Sequence, residues 1–159
     1  MLLPQERMER IAKLAMLPGQ LSQLVVGLSE AQLTTHFLPD EWTVAQNVHH
    51  LGDSHMNSVI RLKLILTEDH PTLRPYDQDA WALTPEANSA ELTPSLTLLS
   101  GLHARWVRLF SELEESQWQR TGYHPENGDV SVEDLLITYA AHGEGHLDQI
   151  RRTLAAAPH

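Results

Sequence analysis

Two histidines that stand four residues apart, His142 and His146, have the spacing of a metal site carried by one helix. Side chains at positions i and i+4 of a helix lie on the same face, so both imidazoles can point at one ion. Gly143 and Gly145 stand between them on either side of Glu144, although each mid-helix glycine costs roughly 1 kcal/mol of helix stability. Such a pair of glycines indicates that another group approaches the helix closely. The alternative is that both histidines are polar residues flanking an apolar stripe.

A third ligand would have to come from another helix, because a catalytic metal usually takes three protein ligands and leaves one position open. The candidates are His49, His50 and His55. Helical periodicity places His55 within an apolar stripe, His50 on a polar side with Asn57 and Arg61, and His49 on the opposite side. A histidine in an apolar stripe is more often a hydrogen-bonded core residue, and a polar side is more often solvated surface. Periodicity therefore leaves the third ligand open.

Three long segments have the periodicity and the start signals of helices that could position these side chains. Thr43, with Gln46 three residues later, has the form of a capping box, and the helix it opens is expected to reach about Glu68. The second helix is predicted to open with Thr93 as the N-cap before Pro94 and to reach about Glu114. The third is predicted to open at Ser131, with Asp134 three residues later, and to reach about Ala155.

The remaining segments give weaker signals. A short N-terminal helical piece is expected to be interrupted at Pro18-Gly19, with a further helix extending to about Ser29. A small hairpin is predicted from Tyr123 to Val130, around Asn127-Gly128.

These elements predict an all-α fold, a four-helix bundle formed by one domain over residues 1–159. Residues 69–92 form a long connection between the helix that opens at Thr43 and the helix that opens at Thr93, and they contain Trp81, which we expect to be anchored in the core. This connection is long enough to cross the bundle, so the two helices need not be antiparallel neighbours.

The composition excludes several classes of function. The chain has ten histidines and no cysteine, so it has no disulfide, no thiolate ligand and no cysteine nucleophile. It has 11 Lys and Arg against 21 Asp and Glu, a formal net charge of −10, which argues against nucleic-acid binding. No apolar run reaches the roughly 18 to 20 residues that cross a bilayer, and the N-terminal stretch is a poor signal peptide. We therefore expect a cytoplasmic protein with neither nucleic acid nor membrane as a partner.

The stretch from Glu41 to Asn57, EWTVAQNVHHLGDSHMN, resembles the DinB/YfiT-like family, and in particular its YfiT branch. The similarity continues through Ile60 to Leu64, Thr67-Glu68, Arg74 to Asp77, Trp81, Leu102-His103, Arg105-Trp106, Tyr123 to Pro125 and the final histidine pair. It implies a bundle of the DinB type with a crossover connection, and a homodimer. It also implies a metal held by His50, His142 and His146, which chooses among the candidates that periodicity leaves open.

The resemblance further implies metal-dependent chemistry. Proteins of this branch are labelled metal-dependent hydrolases, and relatives are thiol S-transferases that use bacillithiol. Three imidazoles and an open position suit zinc or nickel. Our leading hypothesis is a bacillithiol-type S-transferase, in which a metal-activated thiolate attacks a small electrophile. Because the chain lacks cysteine, such a thiol must come from outside. The alternatives are a hydrolase that uses a metal-bound water and a non-catalytic metal-binding bundle.

Further site residues are hypotheses. Asn57 and Arg61 are candidates for binding an anionic group of the cosubstrate, since the arginine fork matches a carboxylate. Gln149 is a candidate hydrogen-bond partner that supports the metal ligands. Tyr76, Asp77 and Trp81 belong to a loop that could border the site, and His124 is either a nearby polar group or a turn residue. No role is assigned to the other histidines, His36, His70, His103 and His159.

Overall fold

A computed structural model describes residues 1–158, and His159 lies outside the described residues. Within these 158 residues the chain forms six α-helices and one two-stranded hairpin: α1 (Pro4–Val25), α2 (Glu30–Thr34), α3 (Val44–Thr67), α4 (Gln78–Ala82), α5 (Thr93–Ser111), β1 (Thr121–His124), β2 (Gly128–Ser131) and α6 (Val132–Ala155). The four long helices, α1, α3, α5 and α6, form the predicted four-helix bundle. None of the helices in residues 1–158 is both long enough and apolar enough to cross a membrane.

The capping boxes predicted for α3 and α6 are confirmed. The Thr43 hydroxyl accepts a hydrogen bond from the amide of Gln46, and the Gln46 side chain accepts one from the amide of Thr43, at 3.1 and 3.0 Å. Ser131 and Asp134 form the same reciprocal pair at the start of α6. The prediction for α5 was wrong in detail: Leu92 is the N-cap and makes no side-chain cap, whereas Thr93 already belongs to the first turn. Proline is tolerated there because the first-turn amides have no helical acceptor.

The predicted break at Pro18-Gly19 was wrong, and so was the further helix to Ser29. Helix α1 runs without interruption from Pro4 to Val25 with Pro18 inside it. Proline removes one amide from a helix, so the carbonyl of Leu14 loses its usual i+4 donor. The ring of His103 supplies a donor instead: its Nδ1 lies 2.7 Å from the Leu14 oxygen. A tertiary hydrogen bond therefore compensates for the local defect.

Contacts between helices define their relative directions. Along α3 and α5, the contacts His49–Ser95 and His55–His103 progress in the same sense, so these neighbouring helices are parallel. Along α3 and α6 the contacts run in opposite senses, from Asn47–His146 to Arg61–Tyr139, so this pair is antiparallel. Two parallel neighbours require a crossover between them, which explains the long connection over residues 69–92 and confirms its expected topology.

The core consists of two apolar clusters at opposite ends of the bundle. One contains Trp106, Phe110 and Trp118, and the other contains Leu21 and Leu51. On α3, α5 and α6 the residues between the two clusters include buried or half-buried histidines: His55, His103, His142 and His146. His50 lies beside them, next to Leu51 of the second cluster, and its Nε2 is 3.2 Å from Nε2 of His142. A histidine layer thus crosses the middle of the bundle.

The connection after α3 is hydrogen-bonded to the hairpin. The hairpin itself was correctly predicted from the sequence. Tyr123 donates its amide to the carbonyl of Pro71 at 2.9 Å, and Leu73 donates to the carbonyl of Tyr123 at 2.8 Å. A Cβ atom at Gly122 would lie 2.9 Å from the Pro71 oxygen, so glycine permits this close approach. The expectation that Trp81 is anchored in the core was wrong. The side chain is 37% exposed and packs on Tyr76, with 4.6 Å between ring centroids.

Candidate metal centre

Three histidines from two helices meet in the histidine layer. His50 projects from α3, and His142 and His146 project from successive turns of α6; their ring nitrogens lie within 4.8 Å of one another. The Nε2 atom of His142 is 3.2 Å from Nε2 of His50 and 3.1 Å from Nε2 of His146. The structure therefore brings together the three residues that the family resemblance selects.

Asn47 determines which nitrogen of His146 faces this cluster. The Asn47 side-chain amide donates to the backbone carbonyls of Thr43, at 2.9 Å, and Trp42, at 3.4 Å, which leaves its Oδ1 free to accept. Nδ1 of His146 lies 2.7 Å from that oxygen, so Nδ1 carries the proton. A neutral imidazole has one N–H, and Nε2 of His146 therefore presents a lone pair to the other two histidines.

His142 is oriented in the same way from its other side. Its Nδ1 lies 3.2 Å from Nε2 of His55, a residue buried in the core. With that nitrogen as donor, the Nε2 atoms of His142 and His146 are both acceptors and face each other at 3.1 Å. Ligands at about 2.05 Å from a tetrahedral zinc ion lie about 3.3 Å apart, so this spacing fits nitrogens that share one cation. The donor set, three imidazoles, suits a borderline divalent metal ion.

Burial keeps the three histidines neutral, the form in which imidazole binds metal. Removal from solvent is the main cause that lowers the pKa of His50 to about 3, with the neighbouring His146 contributing. The same causes, burial first and then His146 and His50, lower the pKa of His142 to about 3. Burial also lowers the pKa of His146 to about 4. Near neutral pH, protons therefore do not compete with a metal ion for these nitrogens.

The other two candidates on α3 have structural partners. His49 lies beside α5, where its ring nitrogens are 2.8 Å from the Ser95 hydroxyl and 3.0 Å from the carbonyl of Ser89. His55 is fully buried and hydrogen-bonded, as expected for a histidine in an apolar stripe. Neither belongs to the cluster of potential metal ligands. His49 points toward α5, and His55 lies between α5 and α6 with both ring nitrogens already engaged, by His103 on α5 and by Nδ1 of His142 on α6.

A cavity of about 650 Å³ opens beside the histidine cluster, with His142 in its wall. The connection after α3 contributes Tyr76 and Asp77, the hairpin contributes His124, and α6 contributes Tyr139. Burial raises the pKa of Tyr76 and lowers that of His124, so both groups are uncharged at neutral pH. Of the loop residues expected to border the site, Tyr76 and Asp77 line this cavity and Trp81 does not.

Arg61 is the cationic group of the cavity wall. One of its terminal nitrogens donates to the carbonyl of Arg74 at 2.8 Å, and the other is 3.5 Å from the Tyr139 hydroxyl. Its Nε is buried and makes no hydrogen bond within residues 1–158, and no carboxylate of this part of the chain forms a salt bridge with it. An arginine that lines a cavity and has no carboxylate partner is suited to binding an anionic group.

Asn57 and Gln149, also proposed from the sequence, have different surroundings. The Asn57 amide donates to the backbone carbonyl of Asp53 at 2.9 Å, and its side chain does not belong to the cavity wall. Gln149 lies near His146 and favours its charged form, opposing part of the lowering of the pKa of His146. The hydrogen bond at Nδ1 of His146, however, is made with Asn47. The proposed roles of Asn57 and Gln149 remain predictions.

The two glycines of α6 differ in their surroundings. A Cβ atom at Gly143 would lie 2.8 Å from Leu17, so this glycine allows α1 to pack closely against α6. At Gly145, a Cβ atom would meet nothing within 4 Å. The close approach inferred from the glycine pair is thus real at Gly143 and involves a packing helix rather than a ligand.

Similarity to known proteins shows the family of this chain. A model of the DinB superfamily matches residues 13–150. This chain belongs to the DinB superfamily. It is 42% identical over 134 residues to a Bacillus subtilis protein named "Putative metal-dependent hydrolase YfiT", covering 84% of this chain and 75% of that protein. Two further relatives, from Oceanobacillus iheyensis and Geobacillus kaustophilus, are also named as putative metal-dependent hydrolases, and each is 42% identical to this chain. The first match spans 142 residues, 89% of this chain, and the second spans 147 residues, 91% of this chain; each match covers 82% of the relative.

A solved structure extends the similarity to the whole architecture. YfiT from Bacillus subtilis, described as having an unusual four-helix bundle topology, superposes with a TM-score of 0.92 and 38% sequence identity. The match covers 96% of this chain and 88% of that chain. The DinB fold with its crossover is therefore shared over nearly the full length described here.

Two residues that help to orient the metal-ligand histidines of this DinB site were not identified from the sequence. Asn47 lies one turn before His50 on α3 and orients His146. His103 was assigned no role, yet it is 1% exposed and its Nε2 lies 2.8 Å from Nδ1 of His55. An amide one turn before a ligand histidine was an available signal for Asn47. Spacing gives no comparable signal for His103, because its partners are distant along the chain; the available signal was its place in the Leu102-His103 match to the family.

Proposed function

We propose that this DinB protein is a metal-dependent S-transferase that uses an anionic low-molecular-weight thiol of the bacillithiol type. The observation that carries the proposal is the pairing of two features in one cavity: the imidazole of His142 and the guanidinium of Arg61. A thiol cosubstrate with an acidic group needs a site for its sulfur and a cationic site for its anion. Because the chain has no cysteine, the sulfur nucleophile is supplied by the cosubstrate.

His50, His142 and His146 would hold the ion, zinc or nickel by the chemistry of the donor set. A divalent ion bound there lowers the pKa of a thiol or of water, so that the nucleophile is available near neutral pH. The protein's own contribution is to hold three neutral imidazoles in register and to place Arg61 where it anchors the anionic end of the thiol. Tyr76 and Tyr139 bound the remaining volume, in which the electrophile is accommodated beside the thiol.

The test uses purified protein loaded with zinc or nickel, bacillithiol, and monochlorobimane as the electrophile. Conjugation should require the metal and should be abolished in His50→Ala and His142→Ala, with a matching loss of bound metal. Unchanged metal content in both variants would refute the ligand assignment.

Arg61 provides a more specific test. Arg61→Met should raise the KM for the thiol roughly 10-fold or more, since a charged hydrogen bond contributes about 1.5–3 kcal/mol. The bound metal should be unaffected. Arg105→Met removes the same charge from an exposed position on α5 outside the cavity and should leave KM unchanged. Equal effects of both substitutions would show that general electrostatics, rather than an anion site at Arg61, explain thiol binding.

A metal-dependent hydrolase is the second candidate, and the names of the relatives favour it. In that case the cavity takes an ester or amide and the activated nucleophile is water. Metal-dependent cleavage of such substrates, without conjugation of any thiol, would select this candidate. If neither reaction occurs while chelation sharply lowers the melting temperature, the site has a structural role.

A further inference from the structure

A chain of hydrogen bonds links the metal centre to the opposite side of the bundle. Nδ1 of His142 is 3.2 Å from Nε2 of His55, Nδ1 of His55 is 2.8 Å from Nε2 of His103, and Nδ1 of His103 is 2.7 Å from the carbonyl oxygen of Leu14. We call His142, His55, His103 and the Leu14 carbonyl the histidine relay. His55 and His103 are 0% and 1% exposed, and neither has a part in the proposed chemistry.

The last member of the relay determines where every proton lies. A carbonyl oxygen can only accept, so Nδ1 of His103 must donate to Leu14. Neutral His103 then accepts at Nε2, which makes Nδ1 of His55 a donor and its Nε2 an acceptor. Nδ1 of His142 must donate to that acceptor, and Nε2 of His142 is left as a lone pair facing the other ligands. Each step follows because a neutral imidazole has one donor and one acceptor nitrogen.

Pro18 explains why the Leu14 carbonyl is available as this end point. In a regular helix the Leu14 oxygen would accept from the amide of residue 18, and proline has no amide hydrogen. Helix α1 nevertheless continues through Pro18, with the Leu14 oxygen directed to His103. The proline in α1 and the buried histidine of α5 are therefore complementary features of one device.

We propose that His55 and His103 are positioning residues that hold His142 in the Nδ1–H tautomer and fix its ring toward the metal site. The proposal rests on the metal-binding part of the proposed function and not on its reaction. All the hydrogens of the relay point away from the centre and end on a carbonyl oxygen, which does not take up a proton. The relay therefore orients a ligand and does not conduct protons.

The first test compares His55→Leu with His55→Gln. Leucine offers no acceptor to His142, whereas the glutamine side chain has one acceptor and one donor group, as His55 does here. Loss of such a partner typically lowers metal affinity 10- to 100-fold. We expect a loss of about this size in zinc affinity for His55→Leu, and recovery of most of the affinity in His55→Gln. Leu62→Ala, a fully buried position on the same helix outside the relay, should destabilise the fold without changing zinc affinity.

Nitrogen-15 NMR of the histidine rings in the metal-free protein gives a readout that does not depend on activity or metal. His142 should be protonated at Nδ1 alone in the native protein and should populate both tautomers in His55→Leu. Native zinc affinity in His55→Leu would overturn the proposal. So would retention of the single Nδ1–H tautomer in that variant. If the unmodified protein binds no metal, the proposed function fails, while the ring spectra still report on the relay.

A second pair of variants separates positioning from folding. His103→Leu leaves the buried Leu14 carbonyl without its donor, and Pro18→Ala supplies a helical amide at the position from which that carbonyl normally accepts. Pro18→Ala should therefore stabilise His103→Leu more than it stabilises the native protein. It should not restore the zinc affinity or the His142 tautomer. Restoration of affinity by Pro18→Ala would show that His103 acts only through stability, which would refute the relay as a positioning device.

Discussion

Acidification should unfold the metal-free protein well above the pH at which its carboxylates protonate. The ordinary pKa of histidine, 6.5, falls to about 3 for His50 and His142 and to about 4 for His146 in the fold, chiefly because of burial. The folded state therefore binds fewer protons than the unfolded state between these limits. Since unfolding takes up protons, the stability from these groups is complete above pH 6.5 and decreases as the pH falls toward 4.

The magnitude follows from these pKa values. At about pH 5, protonation of one histidine in the unfolded chain contributes about 2 kcal/mol to unfolding, and three histidines contribute about 6 kcal/mol. That is comparable with the whole stability of a typical domain, about 5–15 kcal/mol. Burial also lowers the pKa of His55 and His103, which adds to the effect. The pKa values of Glu115 and Glu133 are lowered from 4.5, so these carboxylates change the stability only below about pH 4.5, outside the range between about pH 6.5 and about pH 5.

The assay is urea denaturation of chelator-treated protein between about pH 7.5 and about pH 5. The dependence of the unfolding free energy on pH should approach about 1.4 kcal/mol per pH unit for each histidine below its ordinary pKa. His50→Gln, which removes one of the three groups, should reduce the slope by about one proton. A stability that stays flat from pH 7 to about pH 5 would refute the reasoning, since the buried histidines would then be protonating in the folded protein.

Three further predictions concern the packing, a cap and the metal. At Gly143, overpacking of the new methyl against Leu17 costs about 1–3 kcal/mol and the gain in helix propensity offsets about 1 kcal/mol, so Gly143→Ala should destabilise the protein by up to about 2 kcal/mol. Gly145→Ala meets nothing and should stabilise the protein by about 1 kcal/mol, and thermal denaturation compares the two variants. Thr43→Ala removes the side-chain cap of α3 and should cost about 1 kcal/mol of unfolding free energy by urea titration. Zinc at a thousandfold excess over its Kd should raise the stability by about 4 kcal/mol, and calorimetry should find no such increase in His50→Ala.

The sequence by itself determined the local features of this protein. Capping boxes at Thr43 and Ser131, the hairpin around Asn127-Gly128, and the shared face of His142 and His146 depend on residues within a few positions of each other. Interactions of such short range are largely independent of the rest of the fold, so spacing and residue type were enough to predict them. Resemblance to a family then selected His50, which periodicity could not.

Tertiary structure decided everything that depends on how the helices meet. His49, His50 and His55 share one helix, and only the packing of α3 between α5 and α6 determines that His50, and neither of the other two, joins the metal-ligand cluster with the pair on α6. Trp81 could not be placed from its hydrophobicity, because Tyr76 provides its partner outside the core.

The histidine relay illustrates the same limit most fully. A proline that predicts the end of a helix is tolerated because a histidine 85 positions later in the sequence donates to the carbonyl that the proline leaves free. Helix propensity correctly predicts that Pro18 lowers the stability of α1 by removing one hydrogen bond. The group that replaces this bond, the ring of His103, comes from α5. Its direction and distance exist only once the bundle has formed, and for this reason the sequence determined the ligand pair while the fold determined what orients it.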